Sequence, residues 1–189
     1  MTQHLKDRLH VFLLSVGMAL GLSGCWWLQR PAPESPLLRN WGVHRLAVVE
    51  FGDATHQGVG SRVTEGFRRE LASALGKETV LLSKLEVPQG PRPVGLIGIS
   101  QAQQIGRLND VDALVSGQVL AYQWQRSVGR VWVSVSLRLL DTSRGTIIRS
   151  QSVTGTAPVP SAERLNAGYD EAIHFAAKEF IHDLLGSPS

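Results

Sequence analysis

The stretch Val131-Trp-Val-Ser-Val-Ser-Leu-Arg-Leu139 places an apolar residue at every second position. Successive side chains of a β-strand point to opposite faces of a sheet, so this alternation predicts a strand with one buried face. The sequence Asp141-Thr-Ser-Arg-Gly145 that follows predicts a turn, and Thr146 to Thr154 predicts a strand that pairs back. The chain therefore contains an antiparallel hairpin in its C-terminal half.

Three further strands are predicted upstream of this hairpin. Arg45 to Phe51 is a continuous apolar run, which is typical of a strand buried on both faces. Thr79 to Leu82 and a segment from about Asp112 to Tyr122 have the same character. Together with the hairpin, these segments predict about five strands.

Three amphipathic helices are predicted between and after the strands. The first has an apolar residue at every fourth position, with charged residues between, at Val59, Val63, Phe67, Leu71 and Leu75. Ser100 and Gln103 form a capping box before the second, and Ser161 is the predicted cap of the third. The order β-α-β-α-β-β-β-α predicts an α+β fold, a mixed sheet with helices packed mainly on one face.

The N-terminus has the layout of a signal peptide. Lys6 and Arg8 precede an apolar run, Val11 to Leu22. This run has 12 residues, whereas a membrane-spanning helix needs about 20. We therefore expect residues 1–24 to direct export and not to span the membrane permanently.

The four residues Leu22-Ser-Gly-Cys25 resemble the lipobox of bacterial lipoproteins. The resemblance implies that Cys25 is diacylated and becomes the first residue of the mature chain. Cys25 is also the sole cysteine, so no intramolecular disulfide is possible. By the sorting rules of such lipoproteins, Trp26 after the cysteine implies transfer to the outer membrane. Trp26 and Trp27 suit the lipid headgroup level, or they simply begin a linker.

The mature chain is long enough for one domain. Removing 24 residues from 189 leaves 165. We predict a proline-rich linker over 25–43, a periplasmic domain over 44–186 and a short tail over 187–189. Removing Lys6, Arg8 and Asp7 leaves 17 basic and 15 acidic residues. This balance, without a basic cluster, argues against a nucleic-acid partner.

No catalytic or metal-binding motif emerges from the residue pattern. Gly58-Val-Gly60 is a fragment of a dinucleotide fingerprint, but Val63 occupies the place of its third glycine. The last predicted helix also contains several possible metal ligands, but lacks a His-Glu-x-x-His motif. These are His174, Glu179, His182 and Asp183. We therefore predict a non-enzymatic protein with no cofactor and no metal.

An aromatic and basic group of residues surrounds Gly129. It comprises Tyr122, Trp124, Arg126, Arg130 and Trp132. Such residues are enriched at the centres of protein interfaces. The group is a candidate contact surface for a membrane or a neighbouring subunit, and the alternative is that its rings pack in the protein's own core.

Four segments together resemble the CsgG-like superfamily. They are the strand that begins at Arg45, the first helix, Asn109-Asp-Val-Asp-Ala-Leu-Val-Ser-Gly117, and Val135-Ser-Leu-Arg-Leu-Leu-Asp-Thr-Ser-Arg-Gly145. This superfamily includes curli secretion lipoproteins, PelC-like lipoproteins of Pel polysaccharide export, LpoB-like activators of peptidoglycan synthases and the TolB N-terminal domain.

Departures from these relatives narrow the expected function. Only eight residues, 123–130, separate Tyr122 from Val131, too few for the membrane-spanning hairpins of the curli channel. The linker from Cys25 to His44 reaches about 65 Å when fully stretched, which is short beside the tether of synthase activators. The resemblance is thus closest to PelC-like lipoproteins. It implies an oligomeric component of polysaccharide export or of curli-type secretion at the periplasmic face of the outer membrane, with an outer-membrane pore as its partner. A regulatory lipoprotein that binds a cell-wall synthase is the alternative.

Overall fold

A six-stranded mixed sheet forms the centre of the fold. The structure is a computed structural model, and it describes residues 38, 40–75, 79–82, 84–86 and 93–185. The strands are β1 (Arg45–Val48), β2 (Gly52–Asp53), β3 (Val80–Leu82), β4 (Ala113–Gln125), β5 (Arg130–Asp141) and β6 (Thr146–Pro158). Their order is β3-β1-β4-β5-β6, with β2 pairing to β4 beyond the end of β1. The β1, β2 and β3 pairings are parallel, whereas β4, β5 and β6 form an antiparallel meander.

Three helices cover the sheet unequally. Helices α1 (Gly60–Ala74) and α3 (Leu165–Leu185) pack together on one face over the larger core, and α2 (Ile99–Asn109) packs on the other face over a smaller cluster. The alternation predicted for β5 is confirmed, because its apolar residues Val131 to Leu139 are fully buried beneath α3. The predicted α+β class is therefore confirmed, with most of the helical packing on one face.

The first predicted strand is interrupted. Phe51 donates its backbone N–H to the hydroxyl of Thr64 in α1 at 2.8 Å, and pairing to β4 resumes at Gly52. The strand predicted to end near Tyr122 continues to Gln125, and the one predicted to end at Thr154 continues to Pro158. Strand ends are poorly defined in sequence because pairing continues wherever a partner strand is available.

The capping box predicted for α2 is wrong, and Ser161 takes its predicted N-cap position without the side-chain hydrogen bond. Helix α2 begins at Ile99, one residue before Ser100, and its N-cap is Gly98 without a side-chain hydrogen bond. Ser161 precedes a 3-10 turn over Ala162–Arg164, where its backbone oxygen, not its hydroxyl, accepts the Arg164 N–H at 3.1 Å.

A β-bulge in β4 changes which side chains face α3. Val119 pairs with Val135, but the next pairing is Ala121 with Ser134, so one extra residue lies in β4. Odd-numbered residues of β4 face the main core before the bulge, and even-numbered residues face it afterwards. Tyr122 and Trp124 consequently lie on the same face as Val131 and Val133, while Leu120 is 49% exposed.

Candidate contact surface

The aromatic and basic residues around Gly129 lie at the end of the β4–β5 hairpin. A 3-10 turn over Arg126–Val128 connects the strands, and Gly129 adopts a left-handed conformation (φ +59°) that glycine accommodates readily. Val128 at the tip is 57% exposed. The tip therefore presents an apolar side chain and two exposed arginines, Arg126 and Arg130.

Tyr122 lies in the core and not on the surface. Its ring stacks on that of Tyr169 in α3, with centroids 3.8 Å apart and planes 10° from parallel. Burial raises the pKa of the Tyr122 hydroxyl above its ordinary value, although the positive charge of Arg62 opposes the shift. This residue fixes α3 to the sheet beneath the hairpin and takes no part in the exposed surface.

Trp124 occupies an intermediate position on the same face. Its ring packs against the edge of the main core, and the guanidinium of Arg126 lies over it at 4.7 Å from the ring centroid. This distance is within the range of a cation–π interaction. The indole is thus held between the core and the hairpin tip.

Trp132 lies on the opposite face of the sheet. It pairs with Gln123 of β4 and Thr156 of β6, and its side chain is half-buried. The structure therefore separates the two tryptophans, with Trp124 on the face that α1 and α3 cover and Trp132 on the opposite face, where α2 packs farther along the sheet. Cys25, Trp26 and Trp27 lie outside the described residues.

A hydrogen-bonded loop beside the hairpin connects it to the helices. Asp53 at the end of β2 accepts hydrogen bonds from the N–H of Thr55 at 2.8 Å and from the N–H of Val59 at 2.9 Å. Gln57 from this loop donates to the backbone oxygen of Tyr122 at 3.1 Å. The loop thereby holds the base of the hairpin in place.

Gly60, the second glycine of this loop, has a packing role. A Cβ on Gly60 would lie 2.3 Å from the backbone oxygen of Phe51, so α1 approaches the strand closely at this point. The amide of Val59 already donates to Asp53. In the Gly58-Val-Gly60 fragment, Gly60 therefore allows the start of α1 to pack on the strand, and the amide of Val59 is already hydrogen-bonded to Asp53.

Each histidine of α3 lies beside a carboxylate. His174 Nδ1 lies 2.9 Å from a carboxylate oxygen of Glu70, and His182 Nδ1 lies 3.7 Å from one of Asp183. Over the described residues, no group of three or more His, Cys, Asp or Glu side chains is arranged to hold a metal ion. Within the same ranges, no helix is long and apolar enough to cross a membrane.

Two partly exposed residues, Arg138 and Phe175, were not predicted as site residues from the sequence. Arg138 is half-buried on the same face of β5 as Trp132, a placement that the alternation of the strand already implied. Phe175 is 46% exposed on the outer side of α3. Its exposure was harder to foresee, because α3 is apolar around much of its circumference.

Solved structures with this fold include the PelC dodecamer from Paraburkholderia phytofirmans, with a TM-score of 0.52 and 21% identity over 76% of this chain and 88% of that one. The hypothetical protein CT253 from Chlamydia trachomatis has a TM-score of 0.52 and 14% identity, over 76% and 94% of the two chains. Protein XCC0632 from Xanthomonas campestris has a TM-score of 0.54 and 12% identity, over 82% and 89%.

At these identities the likeness shows the fold alone. It supports a PelC-like fold and singles out neither CsgG nor the TolB N-terminal domain. No protein-family model matches the chain, and no curated protein sequence matches it.

Proposed function

We propose that this chain is a non-enzymatic lipoprotein that assembles into an oligomer at the periplasmic face of the outer membrane, as part of an envelope export apparatus. The observation that carries the proposal is the fold shared with PelC, which forms a dodecamer. The Pel-type resemblance of the sequence supports a role in polysaccharide export, beneath an outer-membrane pore.

The lipid anchor is the first element of this proposal. Acylated Cys25 would hold the chain at the membrane, and the 18 residues between it and His44 would span about 25 Å as a flexible coil. A tether of this length keeps the domain near the membrane surface. Trp26 and Trp27 would then lie at headgroup level.

The second element is the hairpin tip. It combines exposed Val128 with Arg126 and Arg130, a composition suited to an anionic headgroup layer. A domain held close by its anchor would bring this tip to the membrane or to the partner pore. Burial of Tyr122 and Trp124 beneath the tip makes the hairpin a rigid projection.

A Cys25→Ser variant tests the anchor. We expect the variant to keep residues 1–24, to take up no palmitate label and to disappear from outer-membrane fractions, because serine has no thiol to acylate. Intact mass and membrane fractionation measure this. Ser35→Ala in the linker is the matched control and should behave as wild type, whereas normal fractionation of Cys25→Ser would exclude a lipid anchor.

The mass of the full-length wild-type protein in detergent tests assembly. An oligomer supports an export component. A monomer that stimulates a peptidoglycan synthase would instead favour the regulatory alternative, and it would overturn the proposal.

A further inference from the structure

Charge is divided between the two faces of the molecule. From Ala113 to Pro158, the meander β4–β5–β6 contains five arginines and one carboxylate, Asp141. Asp141 is buried and accepts hydrogen bonds from its own turn, including one from the Ser143 N–H at 2.9 Å. Arg144 pairs with Asp141 and Arg149 pairs with Asp183 of α3, so the other three arginines carry positive charge that no ion pair among the described residues compensates.

The face of the sheet opposite α3 exposes much of this charge. Along β5 it carries Arg130, Trp132 and Arg138 in one line, separated by Ser134 and Ser136. Serine and threonine side chains of β6 continue the surface. Hydroxyl groups are ordinary on a solvated sheet face, but a tryptophan between two arginines is not explained by solvation.

Among the described residues, no carboxylate forms an ion pair with Arg130 or Arg138. Their positive charge is therefore available to a ligand or to another chain.

The outer side of α3 has the opposite character. From Ser161 to Leu185 the chain contains five carboxylates and two basic residues. Glu171, Phe175 and Glu179 follow one another at four-residue spacing, so they form one exposed stripe along the helix. Over the described part of the chain, Glu171 has no ion-pair partner, and Glu179 only accepts a long 3.4 Å hydrogen bond from the Thr154 N–H.

We propose that the Arg130–Trp132–Arg138 face of one copy binds the Glu171–Phe175–Glu179 stripe of the next copy. This inference rests on the proposed oligomeric function and names its interface. Opposite charges attract, and an exposed phenylalanine facing a tryptophan and arginines gains both apolar and cation–π contact. Arg130 and Arg138 lie about 27 Å apart along the strand, whereas Glu171 and Glu179 lie about 12 Å apart along α3, so the two long arginine side chains lean towards the middle of the face to reach the stripe.

The pairing is heterologous, because two different surfaces of the chain meet. A self-complementary contact would set arginine against arginine or glutamate against glutamate, which is unfavourable. Repetition of a heterologous contact closes into a ring when the rotation allows it. The two faces thus specify a head-to-tail order of subunits.

Two charge-reversed variants of the full-length protein test the interface. The sheet variant carries Arg130→Glu and Arg138→Glu, and the helix variant carries Glu171→Arg and Glu179→Arg. Each should weaken self-association about a hundredfold or more, since like charges would then face each other. Light scattering in detergent measures the oligomer mass, and a thermal melt verifies that each variant is folded.

Mixing the two variants provides the decisive measurement. In the mixture, the new glutamates on the sheet of the sheet variant face the new arginines on α3 of the helix variant. The unchanged arginines on the sheet of the helix variant face the unchanged glutamates on α3 of the sheet variant. We expect an alternating oligomer of wild-type size. A chain with all four substitutions should likewise assemble alone.

A matched control carries Arg69→Glu and Arg107→Glu, at exposed positions on α1 and α2. Its change in net charge equals that of the sheet variant. It should assemble as wild type. If wild type assembles and either reversed variant does so equally well, or if the mixture stays monomeric, the interface is wrong while the proposed function stands. If wild type itself is monomeric, both are wrong.

Discussion

The carboxylate of Asp53 holds its own loop together through three hydrogen bonds. Besides the backbone contacts described above, its Oδ1 accepts the Thr55 hydroxyl at 2.5 Å. Burial alone would raise the pKa of Asp53, but the hydrogen bonds from Thr55 and Val59 outweigh burial and lower the pKa to about 2. The ionised carboxylate is therefore the form that this loop stabilises.

This ionisation predicts a pH dependence of stability. A carboxyl whose pKa is lower in the folded than in the unfolded state stabilises the fold above the unfolded value of 3.8, and the stabilisation is lost as the pH falls towards 2. Asp53→Asn should therefore be less stable than wild type at neutral pH, and the difference should shrink between pH 4 and pH 2. Melting temperatures across this range measure it.

Thr55→Val is the companion variant, because it removes one donor and leaves the carboxylate. It should retain part of the pH dependence. A constant difference between wild type and Asp53→Asn from pH 6 to pH 2 would contradict the role assigned to this carboxylate.

The two hairpin tryptophans should respond differently to truncation. Trp124→Ala removes a ring that packs on the core, so we expect a loss of about 2 kcal/mol in the free energy of unfolding. Trp132→Ala removes a ring from the face of the sheet opposite α3, and it should weaken assembly about tenfold with little change in melting temperature. Denaturant unfolding and oligomer mass separate the two effects, and equal losses of stability would show that both rings serve the core.

Among the elements, the contact of α3 with β6 is the tightest. A Cβ built on Gly155 would lie 1.7 Å from the backbone oxygen of Ala172 and 2.7 Å from the backbone nitrogen of Ala176. No side chain can yield at this point, because both neighbours are backbone atoms of the helix. The helix therefore rests directly on the strand.

Gly155→Ala should destabilise the fold by about 3 kcal/mol, since the helix must move away from the sheet to admit the methyl group. Denaturant unfolding of the full-length chain measures this. Thr156→Ala, the next residue on the exposed face of the same strand, is the control and should cost less than about 1 kcal/mol. Equal effects at the two positions would show that α3 is not seated on Gly155.

The bulge in β4 explains why the hairpin was only partly predictable. The alternation of β5 reveals its buried face directly, and Trp132 lies opposite that face as its position indicates. In β4, Val119 and Tyr122 both face the core, although their odd and even positions would place them on opposite faces of a regular strand. A single inserted residue has no compositional signal here, so the burial of Tyr122 required the structure.

At the scale of the whole molecule, local patterns predicted the elements better than their connections. The five predicted strands and three helices follow from periodicity within a few residues each. The sheet order does not, because β1 lies between β3 and β4 and the pairing depends on packing across distant segments. The net charge of +3 also gives no sign that charge is separated between the sheet and α3. The positive charge of the sheet and the negative charge of α3 nearly cancel in that sum.

The sheet order also has a consequence for the path of folding. Strands β4, β5 and β6 are joined by short turns, and α3 follows them directly, so this half closes only small loops as it forms. Strand β1 pairs through Leu46 with Ala113, 67 residues later in the chain. This pairing can form only after the segment around Ala113 has become a strand. Because non-local pairings slow folding, we expect residues 113–185 to form the nucleus and the N-terminal strands to join it last.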